Sequence, residues 1–269
     1  MIKTLLRLCA GLVLVFFLGF FLAGGRDVLR PETVGRVADW ATESVASSVA
    51  RSEAAPQAPA DAFTRVKRLL FLRDAVDERM AAKKIVSADE MPDELIKAIV
   101  AVEDARFFTH PGFDIEGIIR ATLVNLQHGE IEEGASTITQ QLIKNLFLTQ
   151  EQTFARKAEE LALALDLEMR CSKIEILTLY LNTIYFGSGY YGIYDAAHGY
   201  FGKDPKDLTL PEAAMLAGLP NAPSLYSPYE DFLLAKKRQF IVLDAMVRNG
   251  AISEELAESA KIEPLYLAH

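Results

Sequence analysis

The sequence contains few of the residues that usually build metal or disulfide sites. Two cysteines and four histidines occur among 269 residues. Cys9 lies in an apolar N-terminal run and Cys171 lies far from it, so we do not expect them to pair, and neither has companion ligands at zinc-binding spacing. Basic residues are not in excess, since the net charge is −9. An acidic chain argues against nucleic-acid binding, and any anionic ligand would require a local basic site.

The alternation of apolar and polar residues that is typical of β-strands is also scarce. Helical spacing of apolar residues dominates from about residue 65 onward, which predicts a mainly α fold. One helix is expected to begin near Pro92, followed by an apolar stripe. Further helices are predicted at Phe154 to Glu168, Lys173 to Tyr185, Leu210 to Leu219 and Leu234 to Arg248.

The longest apolar run, Leu8 to Gly25, has 18 uncharged residues. Its length predicts a transmembrane helix, and the preceding Lys3 and Arg7 predict a cytoplasmic N-terminus with the body outside. A cleaved signal peptide is the alternative, although signal cores are typically ~7–15 residues long. The predicted organisation is therefore a tip and transmembrane helix at 1–25, a connecting region and linker at 26–64, and one domain at 65–269.

The stretch from Gly134 to Asn145 is the most informative part of the chain. Wound as an α-helix, it places Thr137, Gln141 and Lys144 on one face. A hydroxyl, an amide and an ammonium on one stripe suit an anionic, oxygen-rich ligand. The alternative is an ordinary solvated face, but such faces usually carry Glu and Lys, which form helices better than Ser and Thr.

Glu103 is a candidate general base. It follows the helix that starts near Pro92 and, at helical spacing, projects between apolar residues. A buried carboxylate has a raised pKa, which suits proton transfer near neutrality. The alternative is that the helix ends earlier and leaves Glu103 exposed. The following residues include Asp104, His110 and Asp114, and His110 alone is expected to be a structural hydrogen-bonding residue.

Two later segments carry weaker signals. Arg156 and Glu160 are four residues apart, and the alternative to a functional pair is a surface salt bridge of a few tenths of a kcal/mol. The segment from Tyr180 to Gly187 is interpreted as a helix end, a cap and close helix packing.

Together these motifs resemble the peptidoglycan glycosyltransferases of family 51, the transglycosylase module of class A penicillin-binding proteins and of monofunctional transglycosylases. The matching segments, in the family's order, are Glu103–Asp114, Gly134–Asn145, Arg156–Glu160, Lys173–Gly187 and Glu212–Pro223. The resemblance covers roughly residues 80 to 255. It implies a mainly α, lysozyme-like glycosyltransferase head and a small membrane-associated jaw at about 113–135. The expected apolar surface of the jaw consists of Ile118, Ile119, Leu123, Val124 and Leu126.

The resemblance also implies a reaction. The family polymerises lipid II into β-1,4-linked glycan strands by inverting transfer from an undecaprenyl-pyrophosphate-linked donor chain to the 4-hydroxyl of an acceptor lipid II. It assigns Glu103 the role of base and makes Glu160 the second catalytic residue, which orients cations or holds a divalent metal. The substrate-binding residues it implies are Asp104, Phe107, His110, Ser136, Thr137, Gln140, Gln141, Lys144, Asn145, Arg156 and Lys157. No cofactor is expected to be obligatory, although Mg²⁺ or Mn²⁺ could sit at the pyrophosphate.

The implied partners are lipid II, the growing glycan chain, membrane lipid and transpeptidases, at the bacterial inner membrane. Many members carry Arg where this chain has Gln152, which predicts weaker donor binding unless Arg156 or Lys157 compensates. The chain ends at His269, so a monofunctional enzyme is expected. Two alternatives stay open: a lytic transglycosylase, and a non-catalytic membrane-anchored scaffold of the same fold.

Overall fold

The structure is a computed structural model that describes residues 68, 70–81, 83–119, 136–148 and 154–268. Its main helices are α1 (Leu72–Met80), α2 (Asp93–Glu103), α3 (Ile138–Phe147), α4 (Phe154–Arg170), α5 (Lys173–Leu181), α6 (Ile193–Phe201), α7 (Leu210–Gly218), α8 (Pro223–Tyr226), α9 (Phe232–Arg248) and α10 (Glu254–Ile262). Short 3-10 turns occupy Ala88–Glu90, Pro205–Asp207 and Leu219–Asn221. The β pairing within these ranges is an isolated antiparallel bridge between Tyr185 and Tyr191. The prediction of a mainly α domain is confirmed.

Capping side chains explain why several helices begin where they do. Thr137, Ser172 and Thr209 each precede a helix and form a capping box with the Gln or Glu three residues later. In such a box the two side chains satisfy backbone N–H groups that the first helical turn leaves without partners. Asp231 and Ser253 cap α9 and α10 by accepting from the backbone N–H of Leu234 and Leu256.

The helices pack in two neighbouring sets. Helix α7 packs against α2 and α9, and α2 also packs against α9. In the other set, α3 packs against α4 and α5, and α1 lies on α4. Glu103 is the last residue of α2, in the first set. At this position its side chain contacts α3, in the second set.

Two predicted helix boundaries are wrong. The helix expected from Gly134 begins at Ile138, because Thr137 is its extended N-cap. The helix expected to reach Tyr185 ends at Leu181, because the Asn182 side chain turns back to bond the carbonyl of Thr178 at 2.8 Å. The chain then enters a tight turn at Gly187, whose φ of +85° and close approach to the Pro223 carbonyl leave no room for a Cβ.

The membrane-related predictions fall mostly outside the described ranges. Those ranges contain no helix that is both long and apolar enough to cross a membrane. The run Leu8–Gly25, the connecting region 26–64 and residues 120–135 of the expected jaw all lie outside them. At the start of the expected jaw, residues 115–119 are helical, and Ile115, Ile118 and Ile119 are 59%, 42% and 53% exposed.

Candidate active site

Glu103 stands at the centre of the candidate site. Its carboxylate Oε2 accepts a hydrogen bond of 2.8 Å from Nε2 of Gln141 on α3. Its other oxygen, Oε1, is buried and has no hydrogen-bond partner among the described residues. The helix includes Glu103, so the alternative of a helix that ends earlier and leaves this residue exposed is wrong.

The surroundings of Glu103 favour its protonated form more than water does. Burial raises the pKa of its carboxyl, and this effect exceeds the lowering by the Gln141 hydrogen bond and by the charge of Arg238. The nearby Asp104 carboxylate raises the pKa further, whereas Lys144 lowers it. A carboxylate with a raised pKa and an unpaired oxygen is suited to accept a proton near neutral pH.

Asp104 and His110 tie the loop after α2 to the start of α3. Nε2 of His110 lies 2.9 Å and 3.0 Å from the two Asp104 oxygens, and Asp104 also accepts from the backbone N–H of Ile138 at 3.0 Å. The backbone N–H of Gly112 donates to His110 Nδ1 at 3.2 Å, so the ring proton is on Nε2 and points to Asp104. Both side chains are buried, and in this structure they fix the loop in place.

The side chains at the start of α3 cap its N-terminus. The Thr137 hydroxyl donates to the Gly112 carbonyl at 2.7 Å and accepts from the backbone N–H of Gln140 at 3.2 Å. Oε1 of Gln140 in turn accepts from the Thr137 backbone N–H at 3.0 Å. Thr137 therefore lies at the helix start and not on the helical stripe with Gln141 and Lys144. Ser136 is exposed and accepts from Lys157 Nζ at 3.3 Å.

Phe107 anchors the loop after α2 in the core. Its ring is fully buried, and Lys173 Nζ lies 4.4 Å from the ring centroid. The same ammonium donates to the His110 carbonyl at 2.7 Å and to Glu168 Oε1 at 2.8 Å. A cation on α5 thus holds the loop that carries Asp104 and His110.

Lys144 is a second cation, after Arg238, whose charge lowers the pKa of Glu103. Burial lowers the pKa of its ammonium, and the carboxylates of Glu160 and Glu103 oppose that shift only in part. In the described portion of the chain its ammonium forms no hydrogen bond or ion pair. A half-buried cation without a partner favours an anionic ligand.

Glu160, unlike Lys144, is bound by oppositely charged side chains. It is only 2% exposed, accepts from Arg156 Nη1 at 2.8 Å, and is also bound by Lys157 Nζ. Because Glu160 is buried, the alternative of a surface salt bridge is wrong. Arg156, Lys157 and Lys144 form a cationic group around this carboxylate, and Asn145 lies half-buried beside Lys144 on α3.

A divalent metal finds no ready ligand set at these positions. Within the ranges described above, no group of three or more His, Cys, Asp or Glu side chains could hold a metal ion. Glu160, the one predicted metal ligand, already has both oxygens bound by Arg156 and Lys157. The described side chains therefore show no ligand set for Mg²⁺ or Mn²⁺, and a divalent cation at the pyrophosphate stays a prediction.

Two neighbours of Glu103 were not assigned to the site from the sequence. Tyr180 on α5 donates its hydroxyl to Gln141 Oε1 at 3.0 Å. The sequence does indicate a polar contact for Tyr180, because a tyrosine among the apolar residues of a buried helix needs a hydrogen-bond partner. Arg238 on α9 lowers the pKa of Glu103 and donates Nε to the Gly218 carbonyl at 3.2 Å. Its position beside Lys236 and Lys237 gave no signal beyond a solvated basic surface.

The family model described as Transglycosylase matches residues 72–247. The chain belongs to this family, and its enzyme class, the peptidoglycan glycosyltransferases, is the class predicted from the motifs. The matched range covers α1 to α9 almost completely and includes every residue of the site described above.

Relatives bear out the assignment. A provisionally named transglycosylase of Cupriavidus necator is 43% identical over 77% of this chain and 89% of its own length. Penicillin-binding protein 1A of Streptococcus oralis is 47% identical over 66% of this chain, and that of Aquifex aeolicus is 48% identical over 67%. The chain spans 28% and 25% of the length of these two proteins. A solved structure of penicillin-binding protein 1A from Haemophilus influenzae is similar at 26% identity over 69% of this chain and 18% of that chain, with a TM-score of 0.42, which is too low to establish a shared fold.

Proposed function

We propose that this chain polymerises lipid II into β-1,4-linked glycan strands, with the growing chain as donor and a fresh lipid II as acceptor. The proposal rests on two ionisable groups on adjacent helices. Among the described residues, Oε1 of Glu103 has no hydrogen-bond partner and the Lys144 ammonium has no ion-pair partner. One group can take a proton, and the other can meet a negative charge. A sugar linked to pyrophosphate requires both.

In the proposed reaction, Glu103 acts on the acceptor. Its carboxylate accepts the proton of the 4-hydroxyl while the hydroxyl oxygen forms a bond to the anomeric carbon of the donor. The bond from the anomeric carbon to the pyrophosphate breaks on the opposite face. The electron pair leaves with the pyrophosphate, so an α-linked donor gives a β-linked product in one displacement.

The cationic group around Glu160 would meet the charge that develops on the leaving group. Lys144 and Arg156 are proposed to bind phosphate oxygens, because cations at a developing negative charge stabilise the transition state. Glu160 is held by two cations, and so it is suited to orient them. A glycan-cleaving enzyme normally needs a second carboxylic acid to protonate its leaving oxygen, and a carboxylate paired in this way is a poor candidate for that role.

The substrates of this reaction are lipid-anchored, which suggests contact with the membrane. Exposed apolar side chains support this proposal: Ile115, Ile118 and Ile119 at the start of the expected jaw, and Phe108 shortly before it. The apolar run Leu8–Gly25 would anchor the chain in the inner membrane with the catalytic domain on the outer side. Confinement to one surface raises the effective concentration of enzyme and substrate. Membrane lipid and transpeptidases are the partners proposed with this location.

The test is polymerisation of labelled lipid II by the purified chain in detergent, with Glu103→Gln as the matched variant. Wild type is expected to give long glycan strands and Glu103→Gln none, although the variant should be folded and unfold at a temperature no lower than that of wild type. If wild type makes no polymer, the scaffold alternative is favoured. If it instead shortens preformed glycan, the lytic alternative is favoured. A near-normal rate for Glu103→Gln would remove the base assignment while leaving the transferase activity intact.

A further inference from the structure

A chain of two hydrogen bonds links three helices behind Glu103. The Tyr180 hydroxyl on α5 donates to Gln141 Oε1 on α3 at 3.0 Å. Gln141 Nε2 then donates to Glu103 Oε2 at the end of α2 at 2.8 Å. Tyr180 is fully buried, so water does not compete for its hydroxyl. Each member of the chain thus depends on the next for a partner.

The direction of this chain is fixed by chemistry. Burial and the charges of Glu103 and Asp104 raise the pKa of Tyr180 well above its ordinary value, so its hydroxyl stays protonated and remains a donor. A donating hydroxyl requires the amide oxygen of Gln141 to face it. The amide NH₂ must then face Glu103. The reversed amide would place its oxygen against the carboxylate and leave the buried Tyr180 proton without an acceptor.

We propose that Tyr180 is a positioning residue that locks the amide of Gln141, so that Glu103 Oε2 is held by a donor and the carboxylate keeps one orientation toward the acceptor hydroxyl. The inference rests on the proposed role of Glu103 as base. Tyr180 touches neither substrate nor the reacting oxygen in this account. Its effect passes through Gln141 only.

Loss of the Tyr180 hydroxyl should weaken the one donor that holds Glu103. The other charged groups facing Glu103 are Asp104, Lys144 and Arg238, and all three stay in place in Tyr180→Phe. In that variant the Gln141 amide is free to turn, and the protonated form of Glu103 gains relative to the carboxylate. The pKa of Glu103 should therefore rise further, and the acidic limb of the pH–rate profile should move to higher pH.

The experiment compares Tyr180→Phe with Tyr200→Phe in the full chain in detergent. Tyr200 is equally buried, and its hydroxyl donates to the Phe186 carbonyl at 3.0 Å, away from Glu103. For Tyr180→Phe we expect kcat to fall about tenfold, KM to stay unchanged and the acidic limb to rise by about one pH unit, the size expected for one hydrogen bond to a charged group. Tyr200→Phe should match it in lost thermal stability but leave the limb in place. Equal limbs in all three proteins would overturn the proposal.

Two further measurements separate this inference from the proposed function. The Tyr180→Phe change is repeated in a Gln141→Ala background, where it should have no additional effect on the limb. An undiminished effect there would show that Tyr180 does not act through Gln141. The Glu103 carboxyl is also titrated by ¹³C NMR, assigned with Glu103→Gln. A higher pKa in Tyr180→Phe supports the positioning role even if the chain makes no polymer, and an unchanged pKa contradicts it even if the chain is fully active.

Discussion

Glu103 and Glu160 have the same side chain in opposite surroundings. Glu103 has one hydrogen-bond donor and one unpaired oxygen, and burial raises the pKa of its carboxyl. Glu160 is more deeply buried and is bound by Arg156 and Lys157. The first arrangement leaves a carboxylate available for a proton, whereas in the second both carboxylate oxygens are bound by cations. The pairing of each carboxylate separates the proposed base from the residue proposed to orient the cations.

Lys144 resembles Glu103 in its surroundings more than it resembles the neighbouring cations Arg156 and Lys157. Both Lys144 and Glu103 have pKa values shifted toward the neutral form by burial. An ionisable group without a full set of partners destabilises the fold, and such groups persist where activity needs them. The two regions should therefore respond to neutral substitutions with opposite signs of stability.

The largest effect is expected for Glu103→Gln. Loss of a general base should lower kcat by about 10²–10⁴-fold, measured with labelled lipid II. Stability should change in the other direction at neutral pH. Because the folded pKa of Glu103 lies above the ordinary value of 4.5, its contribution to stability is present below that value and lost as the pH rises through the folded pKa.

Glutamine does not titrate, so the thermal midpoint of Glu103→Gln should exceed that of wild type at neutral pH. The difference should shrink as the pH falls toward 4.5. A variant that is less stable than wild type at neutral pH would contradict the description of Glu103 as underpaired.

Lys144→Met should show the next largest effect. Methionine keeps the apolar stem and removes the charge, so KM for the lipid-linked substrate should rise about 10- to 100-fold, the equivalent of one lost charge-assisted contact. Unfolding should occur at an equal or higher temperature, since no partner is left unpaired. Lys84→Met is the matched control, because that lysine lies over the Tyr194 ring, away from Glu103. An unchanged KM for Lys144→Met would exclude this residue from phosphate binding.

Glu160→Gln should lower the stability of the protein, in contrast to Glu103→Gln and Lys144→Met. Removing the charge from a buried, doubly paired carboxylate leaves two cations unopposed and should destabilise the protein by roughly 3 kcal/mol. Chemical denaturation measures this, with Glu175→Gln as an exposed control that also pairs with an arginine. If Glu160→Gln were as stable as wild type, the distinction between the two glutamates would fail.

The sequence predicts many residues of the candidate site but fewer of the hydrogen bonds between them. Periodicity and capping signals predicted a mainly α domain and the apolar stripe that buries Glu103. Motif spacing predicts Gln141, Lys144 and Glu160 as site residues. The Tyr180 contact could not be predicted, because it depends on how α5 packs against α3 in three dimensions. The N-cap role of Thr137 could have been found, since Thr followed three residues later by Gln is a capping-box pattern.

The smallest effect concerns Gln152, which lies outside the described residues, at a position where the family resemblance implies arginine in many members. If Lys144 and Arg156 bind the pyrophosphate less tightly than a full set of cations would, Gln152→Arg should lower KM. The gain should be about two- to fivefold, the size expected for one partly solvated ion pair. Gln152→Lys is the matched control for charge without a planar, bidentate donor, and it should gain less. Equal KM values for wild type and both variants, at low salt, would mean that the existing cations already saturate the leaving group. The cationic region would then need no addition, and the limit on this enzyme would lie on the Glu103 side.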